Sequence, residues 1–123
     1  YLPGHGNVVI TSSDYLEKHP QICEGFTRAL NRSISYILDG HVREAIDLAV
    51  EHYAPASKGS EDRIQHVMEE EFVPSLWQSN NTASFGLGYS DVTRYQTYIG
   101  ILAQYGIIDQ PYDASTLVVN LGE

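Results

Sequence analysis

The chain has 123 residues, 42% apolar and 19% charged, a balance that suits one globular domain with its own core. Seven basic against sixteen acidic side chains give a net charge of −9, which disfavours nucleic acid and anionic bilayer surfaces, since both are held by Lys and Arg. Cys23, the single cysteine, excludes an internal disulfide and any cysteine-built metal site, and no run of about 18 apolar residues is present to span a bilayer.

The first element predicted is a short strand at about residues 7–12. Val8, Val9, Ile10 and Thr11 are β-branched throughout and follow Gly4 and Gly6, a pattern expected of a strand buried on both faces. A buried strand needs neighbours for its backbone groups. It is therefore expected either as a recruited edge or as part of a sheet supplied by sequence outside this chain.

Ser12 or Ser13 is placed to cap a helical turn reaching Lys18, with Asp14 near its positive end. Pro20 then opens the longest predicted helix, because its missing N–H falls where no intrahelical bond is made. Ile22, Phe26, Leu30, Ile34 and Ile37 or Leu38 recur at intervals of three and four and form one apolar stripe, and Gly40 closes the helix. Cys23, beside Ile22 and Phe26, reads as a small apolar filler on the buried side.

A second amphipathic helix is expected from His41 to Tyr53, ended by Pro55, with "APASKGS" as a loop. A third should run from about Glu61 to Phe72, with Pro74 either kinking it or starting a turn that carries Leu76 and Trp77. "QSNNTASFGLGY" reads as a long connection. Ser90 is expected to cap a fourth helix, Asp91 to Tyr105, ended by Gly106. The tail holds Pro111, a small polar turn, and a β-prone patch at Leu117 to Val119.

Few groups carry chemistry. His5, His19, His41, His52 and His66 show neither H-x-x-x-H nor H-E-x-x-H spacing, so no metal site is expected. His41 and Glu44 read as local capping. Glu69, Glu70 and Glu71 occupy consecutive helical positions about 100° apart and do not converge, so they read as a solvated face. No G-x-S-x-G elbow occurs, no catalytic residue is assigned, and no cofactor is expected. "GLGYSD", residues 86 to 91, leads into a helix start that is able to hold an anion, although a capped turn explains it more simply. "YLPGHGN", residues 1 to 7, precedes the strand and offers His5 and Asn7 as hydrogen-bonding candidates.

The order of these elements resembles a family. "VVITSSDYLEKHPQICEGFTRALNRSISYILDGHVREAIDLAVEHYAP" is similar to the segment of bacterial solute-binding proteins of the sulfonate, nitrate and thiamine-pyrimidine-precursor group in which a return strand leads to S-D, a proline and a helix bearing F-x-x-A-L. Those positions are Ser13, Asp14, Tyr15, Pro20, Phe26, Ala29 and Leu30. The stretch ending in Gly106, Ile107, Ile108, Asp113, Ala114, Ser115 and Asn120 resembles that group's closing pattern.

The resemblance implies an α/β protein of the periplasmic-binding-protein type II fold, represented here by a mostly helical C-terminal segment of a two-lobed clamp. It further implies capture of a small-molecule solute outside the cytoplasmic membrane, in a periplasmic or membrane-anchored extracellular location, and delivery to the permease of an ABC transporter. The ligand-contact residues it suggests are the hinge-proximal Tyr1, His5 and Asn7. A thiamine-pyrimidine synthase is the enzymatic alternative, and a self-contained helical interaction module is the third reading. Helices shaped to cover a sheet outside the chain would leave apolar surface bare, so a homodimer or strand-exchanged oligomer is expected of the isolated chain.

Overall fold

The computed structural model describes residues 6–121. It is α-helical: α1 (Ser13–Lys18), α2 (Pro20–Tyr36), α3 (Val42–His52), α4 (Glu61–Val67), α5 (Asn80–Phe85) and α6 (Val92–Gln104), with single 3₁₀ turns at Pro55–Ser57 and Ala114–Thr116. The described residues contain no β-strand, which overturns the α/β, type II expectation. Val8, Val9 and Ile10 are 53%, 62% and 86% exposed, and their backbone meets no partner among the described residues. β-branched side chains favour a pleated surface, but a ladder exists only where a second strand supplies the other half of each hydrogen bond. Among the described residues that half is missing, and the segment is coil. Leu117 to Val119 likewise form no strand.

The helix boundaries reflect local chemistry. Ser12 caps α1, its Oγ accepting from the Tyr15 N–H at 3.1 Å, and Lys18 pairs with Asp14 one turn earlier. Pro20 occupies the first turn of α2. Wider turns continue α2 to Gly40, whose φ of 101° is left-handed and ends the helix. His41 does not cap α3, contrary to the expectation from sequence. Its Nδ1 lies 2.9 Å from the Tyr36 carbonyl, which only accepts, so the ring donates backward to the end of α2. The Tyr36 ring stacks on it at 3.9 Å between centroids.

The reversal at Gly40 aims α3 so that Val42, Ile46 and Val50 are buried, and Ile37, Ile64, Met68 and Val73 pack against them. This is the larger core. After Val67 the third predicted helix widens into π-type turns over Met68–Leu76, with Pro74 inside them. Pro74 has no N–H to give, and the Trp77 N–H reaches back five residues to the Phe72 carbonyl at 2.9 Å. The Gln78 side chain donates to the Val73 carbonyl at 2.9 Å. Arg43 ties the α3–α4 pair from outside, donating to Asp47 at 2.8 Å and Asp62 at 2.6 Å. All three groups are solvated, so these contacts add little stability.

A second, smaller core forms where α6 meets the tail. Ile99 is 2% exposed and Ala114 fully buried. The seventeen-residue α2, by contrast, buries no residue at all.

Truncation of Ile46 to Ala should therefore cost about 2–4 kcal/mol in urea unfolding, while Ile22→Ala, at a side chain 57% exposed, should cost under about 1 kcal/mol. Gly40→Ala should cost roughly 1–2 kcal/mol, because the left-handed backbone is retained and a Cβ there is strained.

Candidate functional site

Of the three ligand-contact residues suggested by the resemblance, Tyr1 and His5 lie outside the described residues. Asn7 is exposed and does not line the depression described below.

A shallow depression of about 490 Å³ opens along the exposed side of α3, lined by Gly40, His41, Arg43, Glu44, Asp47, Leu48 and Glu51. Of its charged heads, Arg43 and Asp47 are paired with each other, and Glu44 is held by Tyr36. The Tyr36 hydroxyl donates to Glu44 at 2.7 Å, an interaction that raises the phenol's pKa above its ordinary value, because ionisation would set two anions together. Arg43 is held by Asp62 and Asp47, which raise its pKa further. Among the described residues no group of three or more His, Cys, Asp and Glu side chains is arranged to hold a metal ion.

The better organised surface is the loop from Phe85 to Asp91. The sequence predicts one long connection through this region, but its first half is helical. Ser79 and Thr82 form a reciprocal cap for α5, each side chain accepting from the other's backbone N–H, at 3.2 and 2.8 Å. The signal is present as S-x-x-T, without the usual Glu or Gln and without an apolar stripe to call attention to it. Gly86 then leaves the helix at φ 93°, and Gly88 also has a positive φ, 79°.

Three amide side chains from three different segments pin the loop between Gly86 and α6. Asn31 on α2 donates to the Leu87 carbonyl at 2.8 Å, and its Oδ1 lies so near Gly88 that an added Cβ would sit 2.8 Å from it. Asn81 donates to Asp91 at 2.9 Å. Asn120 clasps Ser90 twice, accepting from its N–H at 2.7 Å and donating to its carbonyl at 3.0 Å, as a neighbouring strand would. Gln96 treats the tail the same way, donating to the Tyr112 carbonyl at 3.1 Å and accepting from the Ala114 N–H at 2.9 Å.

The α6 cap is Asp91, one residue past the predicted Ser90. Its Oδ1 accepts from the Thr93 and Arg94 N–H groups at 2.9 and 3.3 Å. With those donors occupied by a carboxylate and the Ser90 N–H taken by Asn120, the helix start has little left to offer an anion. What the loop does present is aromatic surface. The Phe85 and Tyr89 rings stack at 4.5 Å and 25°, and Phe85 remains 60% exposed. The arrangement can take a flat ring by stacking.

No family model matches the sequence. No solved structure matches it either. Among curated proteins the chain is 25% identical over 114 residues to the riboflavin-binding protein RibY of Chloroflexus aurantiacus, an alignment covering 93% of this chain and 32% of that protein. The chain thus spans about a third of the length of the relative it matches, and what it resembles is a small-molecule-binding protein.

The clasped loop and tail make two outcomes testable. Asn120→Ala should accelerate hydrogen exchange at the Ser90 amide by roughly tenfold while costing only about 1 kcal/mol of global stability. Asp113 caps the Ala114–Thr116 turn through the Ser115 side chain and N–H, which lower its pKa. Because the folded value lies below the unfolded one, this support is present above the unfolded pKa and lost as pH falls through the folded one. An NMR titration should place the Asp113 carboxyl midpoint below the ordinary aspartate range, with Asp113→Asn removing the acid-dependent loosening of the tail.

Proposed function

We propose that the chain is the C-terminal segment of a two-lobed extracytoplasmic protein that captures a small solute and presents it to the permease of an ABC importer. The observation that carries this reading is the alignment with RibY, which runs through nearly the whole chain rather than through one helix. Composition agrees with it: the net charge of −9 suits neither nucleic acid nor an anionic bilayer. So does chemistry, since the described residues assemble a stacking surface and hydrogen-bonding amides.

The solute in this reading is neutral and planar, of the flavin class. Tyr1, His5 and Asn7 are its hydrogen-bonding contacts, and the exposed face of Phe85, held in place by the amide-pinned loop, is the stacking surface among the described residues. A solute-binding role asks for no turnover, so the synthase alternative would need catalytic groups contributed by sequence outside this chain.

Riboflavin titrated into the full-length protein should quench its fluorescence saturably and raise the melting temperature as concentration exceeds Kd. The His5→Ala/Asn7→Ala pair and Phe85→Ala should each weaken binding about tenfold. Absence of saturable binding to riboflavin, pyrimidine precursors and sulfonates alike would refute solute capture; riboflavin binding unaffected by all three substitutions would refute the assigned contacts alone.

A further inference from the structure

The glycine on which the chain reverses follows an aspartate, and Asp39 with Gly40 is the one Asp-Gly pair in the sequence; no asparagine precedes a glycine. The pairing has a chemical consequence as well as a conformational one. An aspartyl carboxyl carbon lies within reach of the backbone nitrogen of the next residue, and a side chain on that residue crowds the approach. Tyr15, Leu48, Arg63, Val92, Gln110 and Ala114 follow the other aspartates. Gly40 has no Cβ, and no atom stands within 4 Å of where one would be.

The carboxylates also differ in freedom. Asp14 is paired with Lys18, Asp47 and Asp62 with Arg43, Asp91 accepts from the first amides of α6, and Asp113 accepts from the Ser115 amide. The Asp39 side chain is exposed and has no hydrogen-bonding or charged partner among the described residues. Its place in the fold leaves it room to react. Asp39 lies in the wide last turn of α2, Ile37–His41, directly before the left-handed Gly40. Attack on its carboxyl requires the peptide between the two residues to turn out of its helical orientation. Helix ends open most readily, and α2 up to this point buries no residue.

We propose that the Asp39 to Gly40 junction is a site of spontaneous covalent modification, at which aspartate converts to isoaspartate and loosens the connection of α2 with α3. The Gly40 nitrogen attacks the Asp39 side-chain carboxyl carbon in its acid form. An N–C bond forms, a C–O bond breaks, and the amide proton leaves with the hydroxyl as water. The product is a five-membered succinimide. Water then adds to one of its two carbonyls: attack at the main-chain carbonyl gives isoaspartate, and attack at the side-chain carbonyl restores aspartate. Nothing is oxidised or reduced, and the sum is an isomerisation that needs no cofactor.

The effect on the fold follows from what the reversal holds. Isoaspartate lengthens the main chain by one methylene immediately before Gly40. Across that residue the His41 ring stacks on Tyr36 at 3.9 Å and its Nδ1 lies 2.9 Å from the Tyr36 carbonyl, a span set by the residues between them. Val42, the first buried residue of the larger core, follows at once. A longer link displaces both, so α3 loses protection from its first turn inward. The modification is independent of solute capture: either holds if the other fails.

The full-length protein, aged for several weeks at about 37 °C and neutral pH, tests this beside a sample aged in urea and an Asp39→Glu variant, whose ring would have six members and close far more slowly. The tryptic peptide Ser33–Arg43 should divide into two forms of equal mass, with a transient third form lighter by one water. Because the helix end opens easily, the folded protein should convert within about tenfold of the rate in urea. Hydrogen exchange at Val42 to Ile46 should then accelerate roughly tenfold while the amides of α6 are unaffected. Asp39→Glu, aged in the same way, should keep one form of the peptide and its protection. A single form of Ser33–Arg43 in the aged folded protein would overturn the proposal, whatever the urea sample shows, and so would equal conversion at Asp109 or Asp113. Conversion at Asp39 that leaves the protection of α3 unchanged would refute the loosening of the junction.

Discussion

The left-handed backbone at Gly40 is the constraint on which the largest core depends. Had the helix begun at Pro20 continued past residue 40, Val42, Ile46 and Val50 would have extended the apolar stripe of α2 into solvent. Instead the chain reverses at a residue with φ 101°, and those three side chains meet Ile64, Met68 and Val73. Any other residue at this position holds the same backbone only under strain. The Tyr36–His41 stack and the His41 donation to the Tyr36 carbonyl brace the reversal from both sides of Gly40. A local turn thus decides which face of α3 is buried.

Much of the helical order is legible in the sequence because its causes are local. Ser12, Pro20, Gly40, Pro55 and Gly106 act within one or two turns of themselves, and apolar intervals of three and four mark one face of a helix wherever it lies. The exposed Glu69, Glu70 and Glu71 are readable for the same reason. Expectation and structure part where the deciding partner lies elsewhere. Ser90 has the chemistry of a cap, but its backbone is clasped by Asn120, thirty residues on, and the helix starts one residue later, where the Asp91 carboxylate caps it. α5 lacks an apolar stripe, and only the paired side chains of Ser79 and Thr82 mark its start. Nothing near Pro74 in the sequence shows that the Trp77 N–H skips back five residues to form wide turns around it.

Val8 to Thr11 is the most instructive error. Its composition is that of a central strand, and the resemblance to two-lobed solute-binding proteins gives that strand a place in a sheet. Strand propensity measures how well a side chain fits a surface made by neighbours, so it has no meaning apart from them. Among the described residues there are none, and the segment is coil. Of the suggested site, Asn7 adjoins this stretch and is exposed, while Tyr1 and His5 lie outside the described residues; of the amides that organise a surface, Asn120 is marked beforehand only by the family's closing pattern, and Asn31 and Asn81 stand at spacings that form no pattern in a sequence.

Those amides also show how the chain manages with so little buried apolar area. Val42, Ile46, Val50, Ile99 and Ala114 are the buried hydrophobics among the described residues, and none lies in the loop that carries Phe85. Order there comes instead from side chains that substitute for a missing strand: Asn120 offers Ser90 a donor and an acceptor, and Gln96 does so for the backbone from Tyr112 to Ala114. Each such bond contributes only about 1 kcal/mol net, much less than a buried Ile, but unlike burial it fixes direction. A loop positioned this way keeps its aromatic face open while its backbone is held, because burying the rings for stability would remove the surface they present. The α2 face obeys the opposite logic. No amide holds its exposed stripe, no core covers it, and a seventeen-residue amphipathic helix draws most of its stability from what its apolar side packs against. The two surfaces therefore differ in kind: the Phe85 loop is complete as it stands, whereas α2 is stabilised further by whatever covers it.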